Sequence, residues 1–373
     1  MSAPTDSYID ETTFHTDVEY IETLWRRMPV GALDMPLIDI GRGEPIVFVP
    51  ILEHLEFVYA RQIRTLSESR RVIMYRRHET RTRPIGLVER AEELRRVLDS
   101  LGLAYVDLVA HGDAAMVLFE FAARYPQYCR SLIIVAQGAD FQIAPHPLIW
   151  LLHELFVRLP VEYFLPAWFL RRIVINYIVA RDPASNASPI YSLPRHLIEE
   201  QFRKIALWPF VYKFSVLPVI HTYDVRKRLG PLSMPILLIN RADDVLAPEP
   251  KTRWLAENLP NCAGYHVVSG GERFFMYSQA GIVTQLIEEF LTMEDTIKRA
   301  TWKAGEHEVG EHEVGEYRQG DPTAGEHGVG EYRQNDPTVV ARRGVALPPL
   351  VLAGLTYIVS IIVSIFEDYI HGT

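Results

Sequence analysis

The chain has 373 residues, 48% of them hydrophobic and 23% charged, enough for one large core with appendages or for two ordinary domains. The formal net charge is −9, but residues 305–338 alone hold nine acidic residues and two arginines, so the remainder is close to neutral and lacks the basic field of a nucleic-acid binder. Only Cys129 and Cys262 carry thiols, which excludes a disulfide framework and a cysteine zinc site and fits a reduced compartment.

Residues 1–35 read as an N-terminal extension. The opening MSAPTDSYIDETTFHTD is polar and acidic, without the apolar core of a signal peptide. From 36 to 292, short β-branched runs alternate with amphipathic helical patterns, as expected of a mostly parallel sheet covered on both faces. The predicted strands are Ile46–Val49, Val72–Tyr75, Val106–Val109, Leu132–Val135, Ile236–Ile239 and His266–Val268. GLVERAEELRRVLDSLGL places Leu87, Ala91, Leu94, Val97, Leu98 and Leu101 on one helical face. A last helix, Gly281 to Leu291, repeats the pattern with Ile282, Leu286, Ile287 and Phe290. Within this region, residues 140–230 break the alternation and read as a helical cap, dense in Leu, Ile, Phe and Trp.

At 108–126, LVAHGDAAMVLFEFAARYP passes from an apolar strand into an amphipathic helix. The turn Ala110-His111-Gly112-Asp113-Ala114 has the spacing of a nucleophile elbow, in which small residues flank a sharp strand-to-helix bend. Gly112 occupies the tip, where the attacking atom would be.

Residues 293–343 contain a pentad array, GEHEV-GEHEV-GEYRQ-GDPTA-GEHGV-GEYRQ-NDPTV, whose larger unit repeats every 15 residues. It has too few apolar residues to repay the entropy of folding and reads as a solvated spacer. Its histidines (His307, His312, His327) also allow loose metal binding. Residues 344–366, GVALPPLVLAGLTYIVSIIVSIF, carry no charge. From Leu350 to Phe366 a helix would span roughly 26 Å, enough for a bilayer core with little tilt. Arg342 and Arg343 precede this run, and Glu367 and Asp368 open the short tail 367–373, so the positive-inside rule puts the large domain in the cytoplasm. The expectation is a single-pass C-terminal transmembrane anchor.

GRGEPIVFV, VDLVAHGDAAMVLFEFAARYPQYCRSLIIV and MPILLINRADDVLAP follow one another in the order of the α/β-hydrolase fold, and residues 36–292 resemble that superfamily. The resemblance implies an α/β fold with a mostly parallel sheet, helices on both faces and a helical cap. It also assigns positions to an acyl-transfer site, which needs a nucleophile, a base, an acid and oxyanion donors. On those assignments Gly112 stands at the nucleophile position and cannot attack. Asp244, four residues before Pro248, keeps the acid position, with Asp243 as a substitute if the alignment slips by one. In SGGERFFMYSQ, Arg273 stands where the family has histidine, and a guanidinium cannot accept a proton at neutral pH. The oxyanion positions fall on Pro50, Ile51, Leu52 and Asp113, and Pro50-Ile51 replaces the usual His-Gly. Asp244 and Arg273 would form a salt bridge in place of a proton relay.

Alternatives remain on the same stretch. Asp113 could serve as a displaced nucleophile, as aspartate does in dehalogenases of this fold, and His111 could serve as a displaced base. Glu53, His54 and Glu272 could meet over the old site. With three positions replaced, the chain resembles noncatalytic branches of the superfamily such as the N-myc downstream-regulated family. The expected function is a membrane-tethered binding or scaffold module without hydrolase activity. The alternative is an esterase- or lipase-like hydrolase acting on an apolar ester or lipid-like substrate through a group such as Asp113. No cofactor and no metal are implied. The expected partners are a membrane through residues 344–366, an apolar small molecule or lipid under the cap, and a protein partner. Among the cap arginines Arg158, Arg171 and Arg172, the Arg171-Arg172 pair beside Trp168 and Phe169 would suit anionic lipid headgroups.

Overall fold

The structure, a computed structural model, describes residues 9–293 apart from 32, 80–81, 141–157, 164–165, 180–192, 207 and 227. The pentad array and the 344–366 run lie outside the described residues. Among those described, no helix is long and apolar enough to cross a membrane.

The strands are β1 Arg26–Val30, β2 Leu33–Ile40, β3 Pro45–Phe48, β4 Arg71–Tyr75, β5 Val106–His111, β6 Cys129–Val135, β7 Ile236–Arg241 and β8 Cys262–Val268. They form one sheet in the order β1-β2-β4-β3-β5-β6-β7-β8. β1 with β2 and β2 with β4 are antiparallel, and every later pairing is parallel. All residues of β5, β6 and β7 are buried, as expected of strands covered on both faces. After β3 the chain adds β4 on one side of it and then returns to place β5 on the other. The loops leaving β3 and β5 therefore meet at a topological switch point, the usual place for a ligand crevice in an open α/β sheet.

Helix α1, Glu11–Leu24, is capped by Asp10, whose carboxylate accepts the Thr13 amide at 2.7 Å. It buries Phe14 and Ile21, and its buried Asp17 accepts from Arg61 at 2.9 Å, Arg64 at 2.8 Å and the Tyr277 hydroxyl at 3.0 Å. The reading of residues 1–35 as an extension outside the sheet domain is therefore corrected: α1, β1 and the start of β2 are part of it. The physical reason is that α1 docks partly through ion pairs, which a search for apolar periodicity does not register.

Helix α2 (Ala60–Leu66) follows the loop after β3. Helix α3 (Leu87–Ser100) buries Leu87, Ala91, Leu94, Val97 and Leu98, the stripe its 3.6-residue period predicts. The final helix covers 280–293, and its buried face is Val283, Ile287, Phe290 and Leu291. Ile287 and Phe290 are buried as expected, whereas Ile282 is 43% exposed and Val283 takes its place on the buried face.

The segment between β6 and β7 begins and ends at one place, where Asp140 and Asp224 form an isolated antiparallel bridge. Its described helices include Ala167–Val179 and Arg195–Lys204. Trp208 is fully buried, with Phe202 edge-on at 5.3 Å between ring centroids. Phe169 and Leu170 are buried while their neighbour Trp168 is exposed.

Candidate active-site cleft

β5 ends in a sharp bend. Gly112 has φ 59° and ψ −122°, donates its amide to Val135 O at 2.9 Å, and is the N-cap of α4, Asp113–Arg124. An L side chain at this positive φ is strained, whereas glycine adopts it freely. The backbone of an elbow is present without a side chain at its tip.

Asp244 lies just beyond β7. Its Oδ1 accepts the amides of Leu246 at 2.8 Å and Ala247 at 2.9 Å. Arg273 Nη1 donates to both carboxylate oxygens at 2.9 Å, and both side chains are buried. Burial alone would raise the Asp244 pKa. The Arg273 and Arg241 guanidiniums and the two amides outweigh it and hold the carboxyl below its ordinary range. Asp243 turns to Arg241, 3.2 Å from its Nε, so the aspartate facing Arg273 is Asp244.

Arg273 reaches further. Its Nη2 donates to Ala136 O at 2.7 Å and to Gln137 Oε1 at 3.3 Å. Ala136 adopts φ 58°, a strained conformation for a residue with a Cβ, and its carbonyl faces the guanidinium. The Arg273 amide in turn donates to Ile178 O in the cap. Beside it, Glu272 Oε2 accepts the Leu193 amide at 2.6 Å, so one loop is fastened to two cap segments.

His111 is buried, with Nε2 2.7 Å from Arg273 O. A carbonyl only accepts, so Nε2 carries the proton and Nδ1 is bare. Burial, with the Arg273 charge adding to it, pushes the imidazole pKa down to about 3. Such a ring is a poor base at neutral pH and acts as a brace for the loop. Tyr59 braces the other side: its hydroxyl donates to Val49 O and accepts the His111 amide, each at 3.0 Å.

Asp113 accepts from Arg77 at 3.0 Å, and Arg77 also binds Glu79 at 2.6 Å. At the oxyanion positions, Pro50 has no amide proton, Ile51 and Leu52 are buried, and Leu52 O closes a turn onto the Leu55 amide. The expected alternative of Glu53, His54 and Glu272 meeting over the elbow is corrected. Glu53 is drawn to Arg76 at 3.3 Å. His54, at φ 69°, lines a cavity of about 260 Å³ with α1 residues and Lys204. Glu272 is held by Leu193 as described. Glu53 follows its ion-pair partner and Glu272 its amide partner, while His54 turns to the cavity beside α1.

The sequence reading brought Gly112, Asp244 and Arg273 to one place. It missed Tyr59, Ala136, Gln137 and Arg77, which complete their surroundings. Only the position of Ala136 and Gln137 just after β6 hinted at a place in the cleft. Among the described residues, no cluster of three or more His, Cys, Asp or Glu could hold a metal ion. The pentad histidines lie outside them.

A parallel sheet with a switch point above β3 and β5, a strand-to-helix elbow, an acid after β7 and a cap between β6 and β7 define the α/β-hydrolase fold. This chain has that fold. It is 19% identical to a thermophilic esterase from Thermogutta terrifontis, with a TM-score of 0.59 over 72% of this chain and 98% of that one. The enol-lactonase from Burkholderia xenovorans LB400 superposes with a TM-score of 0.56 at 17% identity, over 72% of this chain and all of that one. By sequence, the chain is 26% identical over 251 residues to a protein of Azorhizobium caulinodans named "Putative carbamate hydrolase RutD", covering 63% of this chain and 86% of that protein. No family model matches.

Proposed function

We propose that this chain is a binding member of the α/β-hydrolase fold whose acyl-transfer centre is closed by the Arg273–Asp244 pair. One observation carries the reading: a Cβ at Gly112 would have Arg273 Nη2 at 3.6 Å, so a guanidinium stands beside the place where a nucleophile would be activated. Such a group donates protons and does not take them. The ligand would lie between sheet and cap, where the fold ordinarily holds substrates. The test is a panel of p-nitrophenyl esters, a carbamate and a lactone, run together with a serine-directed fluorophosphonate probe. The expected result is neither turnover nor labelling.

A second reading, hydrolysis through a displaced group, is favoured by the relatives: the sequence match above bears a hydrolase name, and both structural neighbours are an esterase and a lactonase. The side chains at the elbow favour the first reading and the comparisons favour the second. Under the second, Asp113 would be the attacking carboxylate. Turnover that is lost in Asp113→Asn, with ¹⁸O from labelled water entering Asp113 in the active protein, would establish it and end the binding reading.

Residues 344–366 add a proposed tether to a membrane, with the folded domain on the cytoplasmic side. The support is the uncharged run itself and the arginines before it. A chain ending at Thr338 should leave the membrane fraction, whereas the full chain should resist carbonate extraction. Membrane retention of the shortened chain through carbonate would remove the run as sole anchor. Release by high salt instead would point to the cap arginines as a second attachment.

A further inference from the structure

The cavity beside His54 is bounded by three elements: α1, the loop 53–57 and the cap helix Arg195–Lys204. Its volume of about 260 Å³ is far above the ~15 Å³ that a single water needs. Phe57 separates it from the elbow. The Phe57 ring meets Phe274 at 5.4 Å between centroids, and Phe274 meets His111 at 5.9 Å. Glu22 and Lys204 mark the rim, with side chains 44% and 41% exposed, while Glu56, Phe57 and Gln201 are buried at the floor.

The lining is divided. Val18, Ile21 and Phe57 supply an apolar wall. On the polar side, one guanidinium serves three carboxylates. Arg76 donates from Nε to Glu56 at 2.8 Å, from Nη2 to Glu22 at 3.1 Å and from Nη1 to Glu53 at 3.3 Å. Two of the three, Glu22 and Glu56, border the cavity. Lys204, the cation on the cap side, already faces Glu200 at 3.0 Å and Gln201 Oε1 at 3.3 Å. Burial holds the His54 pKa below its ordinary value, so this imidazole adds no positive charge at neutral pH. Carboxylates therefore outnumber cations among these groups. Burial raises Glu56 to about 7 even though Arg76 stands at hydrogen-bond distance. A buried, under-compensated carboxylate facing a cavity with an apolar wall is matched by a further cation that carries hydrocarbon.

We propose that this cavity binds a small organic ammonium ion, its charge against Glu22 and Glu56 and its hydrocarbon part against Val18, Ile21 and Phe57. A carboxylic acid of the same size would meet the excess of carboxylates, and a neutral alcohol would leave that excess uncompensated. A bare metal ion would find an apolar wall where it needs oxygen ligands. The occupant touches α1, the loop after β3 and the cap helix together, so its binding fastens the cap to the sheet domain. The site is separate from the elbow and stands under either reading of the elbow.

The test is a titration of the ²H,¹⁵N-labelled full chain with n-hexylammonium chloride, hexan-1-ol and sodium hexanoate, at pH 8 and matched ionic strength. The signals read are the amides of Ile21, Glu22, Phe57 and Gln201, with Gly112 reporting on the elbow. Hexylammonium should shift the four cavity amides saturably and leave Gly112 in place. Hexanol should bind about tenfold more weakly, and hexanoate should give no saturable shift. The ion favours ionised Glu56, so its affinity should fall about tenfold from pH 8 to pH 6, a range in which an alkylammonium stays protonated. Glu22→Gln alters a half-exposed side chain and should weaken hexylammonium by about fivefold while leaving hexanol unchanged. Val18→Phe fills the cavity and should remove the response to both. Absence of a saturable hexylammonium response in the wild-type chain overturns the site, whether or not the variants fold. Equal affinity for hexylammonium and hexanol overturns it as well, as does an affinity unmoved by pH and by Glu22→Gln. A response confined to Gly112 would put the ion at the elbow and overturn the proposal too.

Discussion

Two buried arginine–aspartate pairs sit at opposite edges of the parallel strands, one at the start of β5 and one beyond the end of β7. At the start of β5, Asp107 accepts from Arg130 Nε at 2.8 Å, from Arg130 Nη2, from Ser131 Oγ at 2.6 Å and from Arg70 Nη1 at 3.3 Å. At the far end, beyond β7, Asp244 accepts from Arg273 and two amides. Both aspartates are almost completely buried. At Asp107, donors from three side chains converge on the carboxylate, and Arg130 also reaches Glu44. At Asp244 the arginine lies beside an elbow without a side chain, its Nη2 3.6 Å from where a Cβ on Gly112 would stand. Burial of an ion pair therefore does not mark a site, since structural pairs are buried too. What separates the second pair from the first is its place beside the side-chain-free elbow at the switch point.

The contrast is most exposed to test at Asp107. Asp107→Ala leaves Arg130, Arg70 and Ser131 facing a buried gap, and should lower unfolding stability by about 4 kcal/mol in a denaturant titration. A loss below about 1 kcal/mol would mean that water replaces the carboxylate, as at an exposed pair, and the two ends would no longer differ in kind.

Asp244→Asn and Arg273→Gln should each lower stability by about 3 kcal/mol, with the double variant well short of the sum. Residues in contact couple in this way, and strictly additive losses would show that the pair contributes nothing jointly.

The pH dependence sharpens the comparison on the cap side. Burial raises Glu272 from 4.5 to about 7 and, despite Arg76, Glu56 from 4.5 to about 7. A carboxyl raised on folding binds more protons in the native state, so its contribution is full below 4.5 and is lost as pH climbs through about 7. His111 works the other way. Its pKa drops from 6.5 to about 3, so its contribution is full above 6.5 and is lost as pH falls towards 3. Each group changes stability by on the order of 1 kcal/mol per pH unit within its window. Melting curves of Glu272→Gln should flatten the loss between pH 5 and 7 by about that amount. An unchanged profile would mean that Glu272 is ionised throughout.

The parts of this molecule legible in the sequence are those set by local pattern. Core strands such as β5 and β6 are apolar runs of strand length, and α3 repeats at 3.6 residues. Gly112, Asp244 and Arg273 were found because spacing along the chain fixes where each sits relative to its strand. β1 escaped notice because an edge strand of sequence RRMPV is mostly exposed and carries no apolar alternation. α1 escaped because Asp17 is among its buried residues. The bonds around the cleft were illegible for a different reason. His111 to Arg273 spans 162 residues, and nothing local in either segment encodes the partner.

The smallest expected effect is also the sharpest test of the cleft. Gly112→Ser restores the missing hydroxyl on a backbone that already has elbow geometry, and its Cβ would lie 3.6 Å from Arg273 Nη2. That neighbour can donate to the serine oxygen but cannot accept its proton. His111 cannot substitute, because its Nε2 is committed to Arg273 O and burial holds its pKa near 3. The loop that would complete an oxyanion hole begins at Pro50, which brings no N–H. Serine alone should therefore leave ester hydrolysis unchanged from background, with no acyl-enzyme burst and no fluorophosphonate labelling. Gly112→Ser with Arg273→His is the informative partner. It places an imidazole in reach of Asp244, whose carboxylate is already oriented by two amides, and trace turnover there is expected. Robust turnover by the single variant would reveal a base in the cleft other than the side chains described, and would move the chain from the binding to the catalytic side of its fold.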